Sequence, residues 1–541
     1  MIRNPSMKTT NAVFPPRIAR RALPAFALGA FVALTSVYYP VHVYAEAGGS
    51  AQALAPGAML EIPEPSLRGI DKMQQTEATF ALPTSVADIP FRPTIDMGLY
   101  KNKKAARLNL APGGAGRPGA SQAPQLLAPP GVFQSFSALN QTESGGLRPP
   151  DPHAAVGKSH VCQVVNTRVA CYNKAAPNTR VLSLSLASFF GYTLQTIFDP
   201  RIAYDGTWNR WVVSGEAFPE STTVQRQFLA VSTTDNPLGT WYIYNIDVNV
   251  FNNDDFWDYP QLGMDQDAVI LTANVFGPTA YRETRMFAIA KARLYNGLGW
   301  NVPLWTGLVG TLAPPIVLDQ NANAYLVAAP TGGTTVWKYT LQNASNAFNQ
   351  TLLTSTITVP AYTVPPDAQQ PGTAATLDTL DARFVNASGQ VGDSLFQTHT
   401  TGDFGLPTPR WYEFDTEGAG ANTIKQSGSF WAAGASNDFN ASIMINASRN
   451  VVVSWSSTDP GAGINAQVRL GGKQVTDTAT TFFGPGLDAA NCPSPSSYSG
   501  FRWGDYSSVA LDPLNANRMW VTNERIINTA TWGTCIAETG W

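Results

Sequence analysis

One pattern recurs seven times along the chain and constrains the fold more than any other feature. Each copy is a polar residue, then three or four small or apolar residues, an Asp/Asn/Gly turn and a second apolar run. The copies begin at Asp151, Asp199, Tyr259, Ala313, Leu380, Asn440 and Tyr506. Their turns fall at Gly157, Asp205, Asp265, Asp319, Asn386, Asn446 and Asp512, with successive spacings of 48–67 residues. The second runs are His160–Val165, Trp211–Ser214, Ala268–Thr272, Ala324–Ala328, Ser394–Gln397, Val451–Trp455 and Met519–Thr522. Short runs rich in Val, Ile, Trp and Tyr between turn residues read as strands, and no long helical window stands out. Repeated hairpins at this period predict an all-β fold, a β-propeller of seven blades over residues 131–541, the first strand of each copy lying innermost. Ala154, Ala155, Ala203, Gly263, Ser508 and Ala510 suit strands crowded at an axis. A β-sandwich array is the rival architecture, and six or eight blades also fit the pattern.

Charge is scarce. Only 13% of the 541 residues are Asp, Glu, Lys or Arg, about half the ~25% of an ordinary globular protein. Residues 1–45 carry Arg3, Lys8, Arg17, Arg20 and Arg21 and no acid, followed by an apolar run from Ala22 to Val37 and the small-residue end Val43-Tyr44-Ala45. This reads as a secretory signal peptide, which places the mature chain outside the cell or in the periplasm. The rival, a retained anchor, needs a longer run and no Pro24. Taking those five cations from 35 Lys+Arg, against 38 Asp+Glu, leaves a mature net charge of −8. That argues against nucleic acid or an anionic membrane as partner. No later stretch is long enough to span a bilayer as a helix.

Four cysteines remain after the leader: Cys162, Cys171, Cys492 and Cys535. An even number in an exported chain points to two disulfides. Three pairings are open. A local hairpin bridge between Cys162 and Cys171 is favoured, leaving Cys492 with Cys535. Zinc is disfavoured, because no C-x-x-C occurs and only His153, His160 and His399 follow the leader. Residues 46–130 are rich in Ala, Pro and Gly and read as a mostly irregular linker or propeptide, with Ile89–Tyr100 lying along the main domain.

The stretch Val231-Ser-Thr-Thr-Asp235-Asn-Pro-Leu-Gly239-Thr-Trp241 resembles a degenerate Asp-box, S/T-x-D-x-G-x-T-W, the turn motif of sialidase-like secreted propellers. Thr233, Asp235, Gly239, Thr240 and Trp241 supply its residue types in order, with two extra residues before the Gly and one missing after it. Phe198-Asp-Pro-Arg201-Ile202 is faintly similar to the sialidase arginine motif without its Arg-Ile-Pro core. The resemblance covers about 50 residues. It implies a propeller in a glycan-related setting. It does not imply a sialidase, which grips a carboxylate with three arginines that this sequence does not place by motif.

In propellers, the loops into the inner strand and out of the second strand share one face around the axis. Applied to the repeat, this gathers Asp151, His153, Asp199, Arg201, Asp258, Tyr259, Asp381, Arg383, Asn440, Asp505 and Tyr506 with Asn166, Glu216, Asn274, His399, Ser457 and Glu524. Crowded carboxylates push one proton affinity up, which supplies a general acid beside a base. A glycoside hydrolase would use Glu216 with Asp199 or Asp258, and Glu524 is the spare acid. A polysaccharide lyase would use His153, His399 or Tyr506 as base, with Arg201 or Arg383 neutralising a uronate carboxylate. Asn274 would bind substrate, and Trp208, Trp257, Trp411 and Trp503 could stack on sugar faces. Each also has a structural reading: Asp-Pro begins turns, buried His bonds to loops, and Trp fills sheet cores.

Asp319-Gln-Asn321-Ala-Asn323 has the spacing of a calcium loop but lacks its Gly and terminal acid, and its place in the repeat makes it a hairpin turn. The sequence requires no cofactor, is compatible with a calcium ion at the axis, and leaves the oligomeric state open. It contains no G-x-S-x-G, H-E-x-x-H or Walker A motif, which disfavours serine hydrolases, zincins and nucleotide enzymes. Two function classes remain. One is an extracellular enzyme on carbohydrate, hydrolase or lyase. The other is a non-catalytic propeller binding a glycan or surface protein. The unlike residues at the seven strand exits favour one asymmetric site, and with it the enzyme.

Overall fold

The computed structural model describes residues 51–82, 86–89, 91–108, 117, 129–219, 225–418, 421–477, 486–487 and 491–541. The expected leader lies outside them. Among the described residues no helix is long and apolar enough to cross a membrane.

The chain from residue 153 onward is all-β, laid down as successive antiparallel meanders. The innermost strands are His153–Val156, Thr196–Asp205, Phe256–Met264, Pro315–Val317, Ser388–Val391, Asn437–Ile445 and Ser508–Leu511. Each is followed by the second run expected from the sequence, and several of these run on: Arg210–Phe218, Ala268–Phe276, Ser394–Thr401 and Arg518–Asn528. Pro315–Val317 is the exception in pairing. It links Phe256–Met264 and Ser388–Val391 in parallel within one ten-stranded sheet, and the hairpin that follows it is joined only through the bridge of Ala313 to Val327 just before the strand. Gly263 permits that approach, since a Cβ there would sit 2.5 Å from the Pro315 carbonyl oxygen.

Successive sheets pack face to face, and the apolar sides of their strands fill the gaps. Trp211 and Phe228 of the second sheet meet Val164 of the first, and Val212 and Tyr244 meet Trp257 and Leu271 of the third. Trp305 packs on Tyr339, Val336 on Tyr412, Trp411 on Trp455 and Val468 on Val521. A further core joins the last sheet to the first, with Trp520 and Trp532 against Val161 and Tyr172. Residues from all seven innermost strands or the loops beside them, Ala154, Ala203, Leu262, Ile316, Ala387, Ser442 and Ser508 among them, line one narrow cavity of about 90 Å³. Five of the six small residues read as axial, Ala154, Ala155, Ala203, Ser508 and Ala510, thus line this common cavity.

The segment expected to be mostly irregular instead supplies strands. β1 (Gln52–Leu54), β2 (Ala58–Ile62) and β3 (Ser66–Gly69) pair with the outer strands of the fourth, third and second sheets in turn. They cover backbone edges that would otherwise lie open. A helix, α1 (Ile70–Glu77), seats Ile70 and Met73 in the core under the second sheet. β4 (Ala87–Asp88) pairs with Leu147–Arg148, α2 spans Met97–Leu108, and β5 (Gly131–Asn140) is the outer strand of the seventh sheet, beside Thr531–Gly540. Three- to five-residue strands in a Pro-rich stretch have too few alternations to show a period of two, so composition misreads them.

The fifth repeat also departs from the expected register. Its turn is at Gly392-Asp393 rather than Asn386, and its inner strand is Ser388–Val391. Leu380–Asn386 belongs to the loop that approaches the axis. Both disulfides are present as paired in the sequence reading. Cys162 and Cys171 face each other across adjacent strands, and Cys492 joins Cys535.

Candidate active site

Five of the seven first residues of the repeats share an unusual backbone. Asp151, Asp199, Tyr259, Leu380 and Asn440 all lie in the left-handed region, with φ of 48–60°. For residues with a Cβ this costs on the order of 1 kcal/mol each. The strand register shifts at the same place in three sheets, between Phe198 and Arg201, Asp258 and Gln261, and Phe439 and Ser442. Each kink bends the incoming chain before its strand begins, and the polar residues around the kinks gather at one end of the axis.

Two groups form there. In the first, Asp199, Glu216 and Asp258 place carboxylate oxygens within 4.8 Å of one another. All three are buried. Asp199 is held in place from two sides. Its backbone N–H donates to Asn166 Oδ1 at 2.8 Å, and its carboxylate accepts from the Tyr506 hydroxyl. Burial, reinforced by the charges of Asp151 and Asp258, pushes its proton affinity well above the carboxylate norm. Asp258 is also raised by burial, against the opposing pull of Arg92. The Arg92 guanidinium stands 3.6 Å from the Asp258 carboxylate and 3.6 Å over the Phe256 ring.

The second group borders the first. Asn166 bridges the two, since its amide donates to Asp151 at 2.6 Å. Asp151 also accepts from the Asp505 backbone N–H at 2.6 Å, and Arg502 forks onto Asp505 at 3.1 and 3.2 Å. Glu524 accepts from the Gly504 N–H at 2.5 Å, and burial raises it well above its usual range.

Between these groups runs a ladder of cations and rings. Arg201 lies 3.2 Å over Tyr506, Tyr506 meets Tyr259 edge-on at 5.0 Å, and Arg383 lies 4.7 Å from the Tyr259 centroid. The donors of both arginines are directed into protein. Arg201 donates to Pro260 O, Val385 O and Asn386 Oδ1, and Arg383 to Asp381 and Thr311. Asn274 donates to the same Thr311 at 2.9 Å, so it steadies Arg383.

Of the residues singled out from sequence, Asp199, Glu216, Asp258, Arg201, Arg383 and Tyr506 are thus brought together, with Asn274 behind them and Glu524 in the adjoining group. His153, His399 and Trp503 lie elsewhere. His153 lines the axial cavity and accepts from the Ile202 N–H at 3.4 Å. His399 packs between Tyr362, Phe384 and Tyr412 inside the fifth sheet. Its Nδ1–H donates to Ala382 O at 2.7 Å and its Nε2 accepts from the Tyr412 hydroxyl at 3.1 Å, so neither nitrogen is free to act as a base. Burial lowers both histidines to about 3. Trp503 is fully buried against Phe439 and Tyr498 and offers no open face to a sugar. Arg92 and Arg502 escaped the sequence reading because neither stands at a repeat position.

No protein-family model matches the chain, and no curated protein sequence is similar to it. In three dimensions it is similar to a protein of unknown function from Dyadobacter fermentans, at 9% identity and a TM-score of 0.37, over 76% of this chain and 99% of that one. It is similar to Trypanosoma rangeli sialidase at 10% identity and a TM-score of 0.32, over 68% of this chain and 57% of the sialidase. The Dos1 propeller aligns at 7% identity and a TM-score of 0.36, over 76% and 82%. These are weak likenesses of sialidase-like propeller kind, and they assign neither activity nor substrate.

Proposed function

We propose that the seven sheets are the blades of a seven-bladed propeller and that its acid-lined mouth hydrolyses a glycosidic bond in an extracellular carbohydrate. The observation that carries this is the buried cluster of Asp199, Glu216 and Asp258, whose carboxylate oxygens lie within 4.8 Å of one another. Buried carboxyl groups this close cannot all ionise, so one serves as acid while another stays ionised. Asp199, raised by burial, is the general acid. Asp258, whose rise on burial is opposed by the neighbouring Arg92 guanidinium, is the nucleophile. Their oxygens lie within 4.8 Å, short of the ~6.5–9.5 Å that an inverting pair needs for its water and close to the ~5 Å of retaining enzymes. The occupied nitrogens of His399 weigh against the lyase.

The two disulfides support a chain exported to an oxidising compartment. The reading uses no cofactor, and parallel assays with calcium and with EDTA check whether an ion contributes.

The test is a panel of neutral and uronate polysaccharides, followed by reducing ends and by the ultraviolet absorbance of unsaturated products. Both the parent chain and Arg92→Ala are assayed, because Arg92 sits on Asp258. Reducing ends without absorbance are expected, lost by roughly 100-fold or more in D199N and D258N. Absorbing products would establish a lyase. Tight glycan binding with no product in either chain would replace the hydrolase with a binding propeller.

A further inference from the structure

We propose that residues 86–89 and 91–108 form an intramolecular plug that holds the acid cluster closed, and that local release of its 91–104 stretch admits the ligand. The proposal rests on the site reading above and concerns its regulation. Three contacts seat the segment across the mouth. At one side β4 pairs with Leu147–Arg148, and Asp88 accepts from Arg148 at 2.8 Å. At the centre Arg92 pairs with Asp258, Phe91 packs on the Tyr259 and Tyr506 cluster, and the Ile89 carbonyl accepts from Arg502 at 2.6 Å. At the far side α2 buries Lys104, which donates to Asp367 at 2.7 Å and Thr379 at 2.8 Å.

The flanks differ from the plug in how they are held. β1, β2, β3 and β5 are paired strand to strand with four sheets. Among the described residues the stretch from Phe91 to Lys104 has no backbone pairing with a sheet and is fixed by side chains. Its fit is also loose. A cleft of about 370 Å³, open to solvent, lies between α2 and the body, bounded by Phe91, Tyr100, Lys104, Asp378 and Arg502. Segments with few buried backbone bonds open locally while the rest of a fold stays intact. Residues 91–104 can therefore lift while β4 keeps its pairing with Leu147–Arg148 and β1, β2, β3 and β5 keep theirs.

The experiment compares the full chain with R92A/K104A. Carboxylates are labelled with a water-soluble carbodiimide and glycine methyl ester and mapped by mass spectrometry, and amide exchange is followed over residues 91–104. Each ion pair lost shifts a closed–open balance by up to roughly fivefold. Asp258 should therefore label roughly tenfold faster in the variant, with faster exchange in the segment. Equal labelling of Asp258 in both chains overturns the plug, whether or not the segment exchanges faster. Should R92A/K104A not fold, F91A carries the same comparison. Labelling reads access and not turnover. A variant that opens yet cleaves nothing retires the hydrolase and keeps the plug, and cleavage with unchanged labelling does the reverse.

Discussion

The Tyr506 hydroxyl donates to the Asp199 carboxylate, so the first residue of the seventh repeat closes onto the first residue of the second. Both groups are buried away from bulk solvent. Y506F should destabilise the chain by about 1–3 kcal/mol, the cost of leaving a buried acceptor unpaired. D199N in the Y506F background should cost less than D199N alone, with a coupling of about 1 kcal/mol or more in a double-mutant cycle read by denaturant unfolding. Additive effects would show that the bond contributes nothing to the fold.

Arg117 carries an unexpected load for a residue in a Pro/Gly-rich stretch. Its side chain is fully buried, pairs with Asp438 at 3.0 Å and donates to Pro407 O, Ser436 O and Thr408 Oγ1. Removing one partner of a buried pair leaves an uncompensated charge, so R117A should cost about 3–5 kcal/mol. R117K keeps the charge but not the planar fork, and should fall between R117A and the parent. Thermal unfolding of the three chains checks the order, and R117A melting with the parent would contradict it.

The repeat was legible because each copy must present small residues to a shared axis and apolar residues to two neighbouring sheets. That double demand writes itself into Ala154-Ala155, Gly263 and Ala510 as much as into Trp211 and Trp455. The acids Asp199, Glu216 and Asp258 were legible for the same reason, since they stand at fixed offsets from the turns. The left-handed backbone at Asp199, Tyr259 and Asn440 was not, because nothing in residue identity alone demands it. Nor was the fifth turn, where Leu380–Asn386 imitates the pattern six residues early. The plug was least legible. Phe91, Arg92 and Lys104 act through single contacts with residues far along the chain, and such contacts leave no local period.

The two disulfides close loops of different length, with separations of 9 and 43 residues. In the chain-entropy account the longer one restricts the unfolded state more, by about 4 kcal/mol against about 2.5. Cys492–Cys535 also fastens the segment before the seventh sheet to the strand that β5 completes. C492S/C535S should therefore lower the melting temperature more than C162S/C171S. The reverse order in calorimetry would show that strain or residual unfolded structure, rather than loop length, governs the pair.

Acid should weaken the fold through its histidines. Burial lowers His153 and His399 from 6.5 to about 3. Between those values the unfolded chain binds protons that the folded chain refuses, so stability falls as pH falls through the window. By pH 5 each histidine should account for about 2 kcal/mol of lost stability. The buried acids act in the other direction. Asp199 and Glu524, raised well above their usual values, hold protons that the unfolded chain releases above about pH 4, so they cost stability as pH rises. A single melting curve mixes the two trends, and H399Q separates them. The variant removes one histidine and leaves every acid in place, so the gap in stability between parent and variant should shrink as the pH is lowered from about 7 to about 5. Parallel curves would mean that His399 is protonated in the fold and that its contacts with Ala382 and Tyr412 do not hold it neutral.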